Sequence, residues 1–343
     1  MAGNTVALVL GSGGARGYAH IGVIEVLAER GFKIGVIAGS SMGALIGGLE
    51  AAGRLHVYAD WVRGLSKREV FKLLEPWFSG PGVIRAERIL ERVSEILEGV
   101  RIEDLPIPFT AVATDLLAGR EVWFQSGPLN VAIRASIAIP TVITPILVNG
   151  RLLVDGGLLN PVPIEPTTAT RTDLTIAVSL SGQRRDSRAK TPLSESADAR
   201  PSGEWLDRMR RGLFDNEMMR PLLERFATEK HDPTVPAFEH ATGLSIVDIS
   251  AMSLDTMAAM IERFRSAAHP PDIQISIPAD SCHTLDFHRA EEIIAIGRRC
   301  AEQALDDFGQ LEWEHDPSVI EGTSTPVLED GSGAPMRADQ PVA

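Results

Sequence analysis

Cysteine is nearly absent from this chain. Cys282 and Cys300 are the two among 343 residues, too few for a disulfide framework and at no metal-ligand spacing. Long apolar runs are missing as well. No segment reaches the roughly 18 apolar residues of a membrane-spanning helix. The N-terminal run Val6 to Leu10 is only a strand's length, so no signal peptide is expected. Basic residues are also in short supply: 33 Lys and Arg against 46 Asp and Glu leave a formal net charge of -13. Such a surface repels phosphate backbones, which argues against a nucleic-acid partner. Part of the acidic excess is local, since Glu312, Glu314, Asp316, Glu321, Glu329, Asp330 and Asp339 face only Arg337 from Glu312 onward. These absences point to a cytoplasmic protein and leave peripheral contact with a membrane open.

Glycine, by contrast, is plentiful and clustered. Thr5 to Leu10 is a short apolar run, followed by a glycine loop and by helical periodicity over Ala19 to Arg30. Ile34 to Ala38 forms a second apolar run, followed by Gly39-Ser40-Ser41-Met42-Gly43 and a helix to about Ala52. Strand, helix, strand, helix implies parallel pairing with helical crossovers, and continuous apolar strands imply a sheet covered on both faces. Helical patterning then runs from Leu55 to Leu97, broken at Pro76 and at Gly80-Pro81-Gly82. Pro108 to Thr114 and Glu121 to Phe124 read as strands with a hairpin around Ala118-Gly119. Asn130 to Ala138 reads as a helix stopped at Pro140. Asn149-Gly150 between two short apolar runs is a hairpin turn. Leu174 to Leu180 reads as a buried strand, and Ile273 to Ile277 as a strand between helices over Leu244 to Phe264 and Arg289 to Leu305. The expected organisation is one α/β domain over 5–310, with core motifs in 5–180, a mobile loop near 182–203, a helical C-terminal part over 204–310 and an acidic disordered tail over 313–343.

Three constellations carry chemistry. In the first, Gly39-x-Ser41-x-Gly43 lies between a strand and a helix. A nucleophile there projects from a tight turn, and glycines on either side leave room for neighbouring backbone. The same pattern also suits a small-residue turn that merely packs a helix onto a sheet. In the second, Gly11-Ser12-Gly13-Gly14-Ala15-Arg16-Gly17 opens the first helix and aims backbone N–H groups at an anion. The dinucleotide fingerprint fails, because Arg16 stands where its last glycine belongs and Gly31 to Ile37 holds no acidic residue. The phosphate-loop ending Gly-Lys-Ser/Thr is absent too. An oxyanion is therefore the favoured anion, with Arg16 either beside it or pinning the loop through an ion pair. In the third, Asp155-Gly156-Gly157 places a carboxylate at a strand end, where it can take a serine proton or simply form a turn.

In this order, the three motifs resemble the signatures of the patatin-like phospholipase family. The stretches LVLGSGGARGYAHIGVIEVL (Leu8 to Leu27) and RASIAIPTVITP (Arg134 to Pro145) resemble its bacterial and neuropathy-target-esterase branch. The likeness is clear over Thr5 to Leu180 and faint beyond, apart from Glu291 to Leu305. It implies a three-layer α/β/α sandwich and a Ser41–Asp155 dyad. It also implies an oxyanion loop at Gly13, Gly14 and Arg16, supported by Gly11, Gly17, Gly39, Gly43, Gly156 and Gly157. The implied chemistry is acyl-ester hydrolysis on phospholipids, lysophospholipids or neutral lipids, without metal or cofactor. Two positions depart from the pattern: Ser12 and Thr141 stand where glycine is common. Ser12 still has a backbone N–H to offer, and Thr141 bears on the acyl pocket.

A Ser-His-Asp triad is the rival mechanism. Its histidine would follow Asp155 in the chain, at His283 or His288, neither of which sits in a motif. His20 reads as a core or supporting residue beside the glycine loop. An acyltransferase using the same dyad, or a non-catalytic lipid-binding protein, are the other function classes. The span Glu204 to Lys230, with Trp205, Leu213, Phe214, Phe226 and several arginines, reads as a lid or packing helix in preference to a membrane-lying one.

Overall fold

The structure is a computed structural model that describes residues 4–74, 82–84, 87–183 and 246–314. The strands are β1 (Thr5–Leu10), β2 (Lys33–Ser40), β3 (Gly82–Ile84), β4 (Phe109–Asp115), β5 (Arg120–Phe124), β6 (Thr141–Ile143), β7 (Ile146–Val148), β8 (Arg151–Asp155), β9 (Leu174–Gly182) and β10 (Ile273–Pro278). The helices are α1 (Ala19–Glu29), α2 (Met42–Ala51), α3 (Leu55–Arg63), α4 (Lys67–Leu74), α5 (Glu87–Leu97), α6 (Leu129–Ser136), α7 (Ile246–Ala268) and α8 (Ala290–Glu314). The span Glu204 to Lys230 lies outside the described residues. So do the loop expected near 182–203 beyond Gln183 and the acidic tail from 315 on. Residues 313 and 314, assigned above to that tail, form the end of α8.

The main sheet is mixed and mostly parallel, with flanking helices, as expected. Strands β10, β9, β1, β2 and β4 run parallel in that order, and β8, β7 and β5 join antiparallel. Alternation of side chains assigns each strand residue to one face. Leu8, Leu10, Ile37, Ile176 and Val178 enter the main core with α1, α2, α6 and α8. Val9 and Ala177 face the other way, onto Val162 and Ile164. Apolar side chains on both faces explain why Val6 to Leu10 of β1 reads as an unbroken hydrophobic run and why β9 reads as a buried strand. The Asn149-Gly150 turn has both residues at positive φ (49° and 76°). That is the geometry favoured when two residues join adjacent antiparallel strands.

The register on β4 decides where the functional motifs meet. Strand β5 occupies one edge of β4 from Ala111 to Asp115, so every other partner lies on the opposite edge. There β2 pairs with Phe109 to Val112 and β8 with Ala113 to Asp115. The two strands approach from opposite directions. Strand β2 ends with Ser40 opposite Val112, and β8 ends with Asp155 opposite Ala113. Ser41 and Asp155 are therefore brought together head to head, although 114 positions separate them.

Helices α1 and α8 pack closely through reciprocal glycines. A Cβ on Gly22 would lie 2.1 Å from the Ile294 carbonyl oxygen, and one on Gly297 would lie 2.1 Å from that of Ala19. Gly309 on the same helix α8 faces open space. The two positions should respond with opposite signs. Gly297→Val should lower Tm, because overpacking against backbone costs about 1–3 kcal/mol. Gly309→Ala should raise stability by up to about 1 kcal/mol through helix propensity. Thermal unfolding of the two variants beside the wild type checks both.

Candidate active site

Ser41 sits on the turn between β2 and α2 with φ 56° and ψ -124°. A non-glycine residue in that region costs on the order of 1–3 kcal/mol and needs support. The support is visible. The Ser41 carbonyl starts α2 by accepting from Ala44 and Leu45 N–H, and its own N–H donates to Ser136 Oγ at 2.9 Å. Ser136 Oγ in turn donates to the Val112 carbonyl at 2.6 Å, next to the point where β2 and β8 meet. Gly39 and Gly43 are steric requirements of this turn. A Cβ on Gly39 would lie 2.3 Å from the Gly43 carbonyl oxygen, and one on Gly43 would lie 2.0 Å from that of Leu10.

Asp155 caps the short turn at Gly156 and Gly157. Its Oδ1 accepts from Gly157 N–H at 2.7 Å, and its Oδ2 accepts from Ser41 Oγ at 2.5 Å. Both side chains are almost fully buried. Burial pushes the Asp155 carboxyl up to about 7, against the hydrogen bonds from Ser41 and Gly157, which favour the charged form. A carboxyl in that range holds a proton or releases it near neutral pH, as a general base must. Gly156 is held against the sheet, since a Cβ there would lie 2.1 Å from the Val112 carbonyl oxygen. A Cβ on Gly157 would lie 2.5 Å from Ser12 Oγ.

The glycine loop reaches the same place. Gly11 N–H donates to Val178, Ser12 N–H to Pro161 and Ala15 N–H to Thr284. Ser12 was expected to have a free N–H; Pro161 takes it, because the loop after Asp155 lies against it. Between these anchors, the N–H groups of Gly13 and Gly14 meet no protein acceptor among the described residues. Gly14 has φ 56°. A side chain on Gly13 would run into Leu180, and one on Gly17 into Met42. Arg16 is buried, with Nη1 donating to the Ala279 carbonyl at 2.9 Å, Nη2 3.5 Å from Asp255, and Nε without a partner among the described residues. His20 supports the loop from beneath. Its Nε2 lies 2.8 Å from the Gly11 carbonyl and therefore carries the proton. Burial pulls the ring down to about 4, with the Gly11 bond opposing, so it is neutral at neutral pH.

Ser41, Asp155, Gly13, Gly14, Arg16 and Gly157 all line one cavity of about 370 Å³. The other sequence-derived glycines, Gly11, Gly17, Gly39, Gly43 and Gly156, pack its walls from behind. No histidine lines it among the described residues. The Thr284 side of the 282–288 turn does, but His283 and His288 do not. Several lining residues escaped the sequence reading. Ile139 and Pro140 lie within the quoted stretch after Arg134, just ahead of Thr141, which opens β6. Met252, Met257, Met260 and Glu262 come from α7. Their only local signal is the helical periodicity of that segment.

Comparison with known proteins agrees with the motifs. Residues 8–168 match the model of the family described as patatin-like phospholipase. An NTE family protein of Mycobacterium tuberculosis (strain ATCC 25618 / H37Rv) is 45% identical over 350 residues, covering 92% of this chain and 96% of that protein. A lysophospholipase of Kluyveromyces lactis is 28% identical, covering 96% of this chain and 21% of that much longer protein. Among solved structures, VipD from Legionella pneumophila aligns with TM-score 0.41 and 15% identity over 90% of this chain and 67% of that one.

A buried carboxyl raised from 3.8 to about 7 weakens the fold at neutral pH. The native state gives up its proton less readily than the unfolded chain, so stability falls as pH rises between those values and is level above them. Asp155→Asn removes the buried charge. Its Tm should exceed that of the wild type at pH 8, and the gap should close by about pH 4. Thermal unfolding across this range measures it.

Proposed function

The chain belongs to the patatin-like phospholipase family, and from that footing we propose that it is a serine lipid acyl hydrolase of the phospholipase A, lysophospholipase or carboxylesterase kind, acting through a Ser41–Asp155 dyad. The hydrogen bond between Ser41 Oγ and Asp155 Oδ2 at 2.5 Å, inside a cavity with a partly apolar wall, is the observation that carries this reading. The substrate class follows from the family and from the relative named a lysophospholipase. Peripheral contact with a lipid surface belongs to the same reading.

In the proposed reaction, Asp155 accepts the Ser41 proton as Oγ attacks the ester carbonyl carbon. The N–H groups of Gly13 and Gly14 take the resulting oxyanion. Such donors are worth on the order of 10²–10³ in turnover. Arg16 holds the loop through Ala279 and Asp255 and adds a positive charge beside it. The tetrahedral adduct collapses, the C–O bond to the alcohol breaks, and Asp155 returns the proton to the departing oxygen. Water then gives a proton to Asp155 and attacks the acyl-serine. The acid is released, and Ser41 recovers its proton. His20, neutral and bonded to Gly11, has no proton-transfer role.

A fluorophosphonate probe should label the wild type at one serine and should not label Ser41→Ala; labelling that persists in the variant removes Ser41 as the nucleophile. The base must be ionised to act, so kcat/KM for a soluble ester should rise with pH and level off above about 7. A profile flat from pH 5 to 9 excludes Asp155 as the titrating base.

A further inference from the structure

Helix α7 forms one wall of the active-site cavity and is held there along its inner side. Asp255 pairs with Arg16 at 3.5 Å, and Glu262 accepts from Ser181 Oγ. Arg265 bridges Glu121 at 2.8 Å and Glu165 at 2.7 Å. These ties fix the rotation of the helix about its axis, and with it the composition of its outer side. That side exposes Ile249, Met252, Met257, Met260 and Phe264, five of the eleven large hydrophobic residues exposed among the described ones. At 3.6 residues per turn they fall on one stripe. Three polar residues fall within the stripe, Ser253, Thr256 and Arg263, and the two hydroxyls among them bond back to their own helix. Ser253 Oγ donates to the Ile249 carbonyl and Thr256 Oγ1 to the Met252 carbonyl, each at 2.8 Å. A hydroxyl bonded to the carbonyl four residues back has its one donor used within the helix. Apart from Arg263, the stripe is thus largely apolar in side chain, with its hydroxyl donors used within the helix, although it faces outward.

We propose that the outer face of α7 is the surface on which this protein seats itself against an uncharged or zwitterionic lipid aggregate, so that an acyl chain passes over the methionines to Ser41. This rests on the hydrolase reading above and adds the place of contact. Continuity supports it: Met252, Met257 and Met260 both stand on the exposed face and line the cavity that holds Ser41. Unbranched, flexible methionine side chains adapt to a disordered hydrocarbon partner. Charge decides the type of surface. A chain of net charge -13 is repelled by anionic lipid, and the face offers Arg263 as its only nearby exposed cation among α7 residues 249–264. Burial of apolar area must therefore supply the binding.

The test uses phosphatidylcholine vesicles and the full chain. The wild type should float with them equally at low and high salt. The double variant Ile249→Gln/Phe264→Gln changes two exposed positions outside the cavity lining and keeps good helix propensity. It should partition to vesicles and hydrolyse vesicle-borne ester about tenfold less or worse. It should also turn over a monomeric short-chain ester, and label with fluorophosphonate, as the wild type does. Ile249→Leu/Phe264→Leu should restore binding. Several results would overturn the proposal: no flotation of the wild type, unchanged flotation of the double variant, or binding only to anionic vesicles with loss in salt. Concentration-dependent dimerisation in the absence of lipid that the double variant abolishes would also overturn it and assign the face to a second copy. Flotation as expected without any labelling of Ser41 would keep the docking surface and sink the hydrolase reading instead.

Discussion

The Ser41–Asp155 hydrogen bond depends on an arrangement of strands, not on the two residues alone. Strands β2 and β8 end against one another on a single edge of β4, opposite Val112 and Ala113. That meeting point sets the distance between the Ser41 hydroxyl and the Asp155 carboxylate and buries both. It also leaves the Val112 carbonyl to Ser136, which holds the N–H of Ser41. A serine at positive φ, a carboxyl pushed up by burial and a close-packed glycine turn are each unfavourable alone. The sheet junction makes them mutually supporting, as is common where strain is kept at a reactive site.

The same junction draws in the glycine loop. The segment that follows Asp155 returns its Pro161 carbonyl to Ser12 N–H, and Gly157 fits against the Ser12 side chain. The carboxylate turn and the proposed oxyanion loop are therefore positioned by one another. His20 braces the loop from inside the core and Arg16 from the cavity side. This explains why so many of the motif glycines meet backbone or Cβ atoms at under 3 Å when a Cβ is imagined on them. Three backbones converge on one small volume, and side chains there would separate them.

Function and stability pull in different directions at this centre. Desolvation that raises the Asp155 carboxyl toward neutrality suits it to the proton transfer proposed above and makes the fold hold a reluctant charge. The surrounding core absorbs the cost. Main-sheet side chains such as Leu8, Leu10, Ile37 and Ile176 are wholly buried, and α1 and α8 pack at glycine-to-backbone distance. Helix α7 plays a different part. Its inner side is tied by charge to the site, and its outer side is largely apolar, so a single helix joins the cavity to the surface.

Much of this was legible in the residues. Apolar runs followed by glycine turns announced β1, β2 and their helices, because a strand covered on both faces must be hydrophobic throughout. Asn149-Gly150 announced its hairpin because few residue pairs adopt two positive φ values. Ser41, Asp155 and the loop glycines were visible as motifs because each needs a particular local backbone. What local sequence does not encode is the pairing of distant segments. The head-to-head ending of β2 and β8, the capture of Ser12 N–H by Pro161, the bracing role of Ser136 and the presence of α7 in the cavity wall are all relations across many residues. Histidine could be weighed against aspartate in the sequence only by order and resemblance. The fold brings Asp155 to 2.5 Å from Ser41, because β8 ends in that carboxylate where it meets β2 on the edge of β4, and it leaves His283 and His288 out of the cavity lining, to which their turn contributes Thr284.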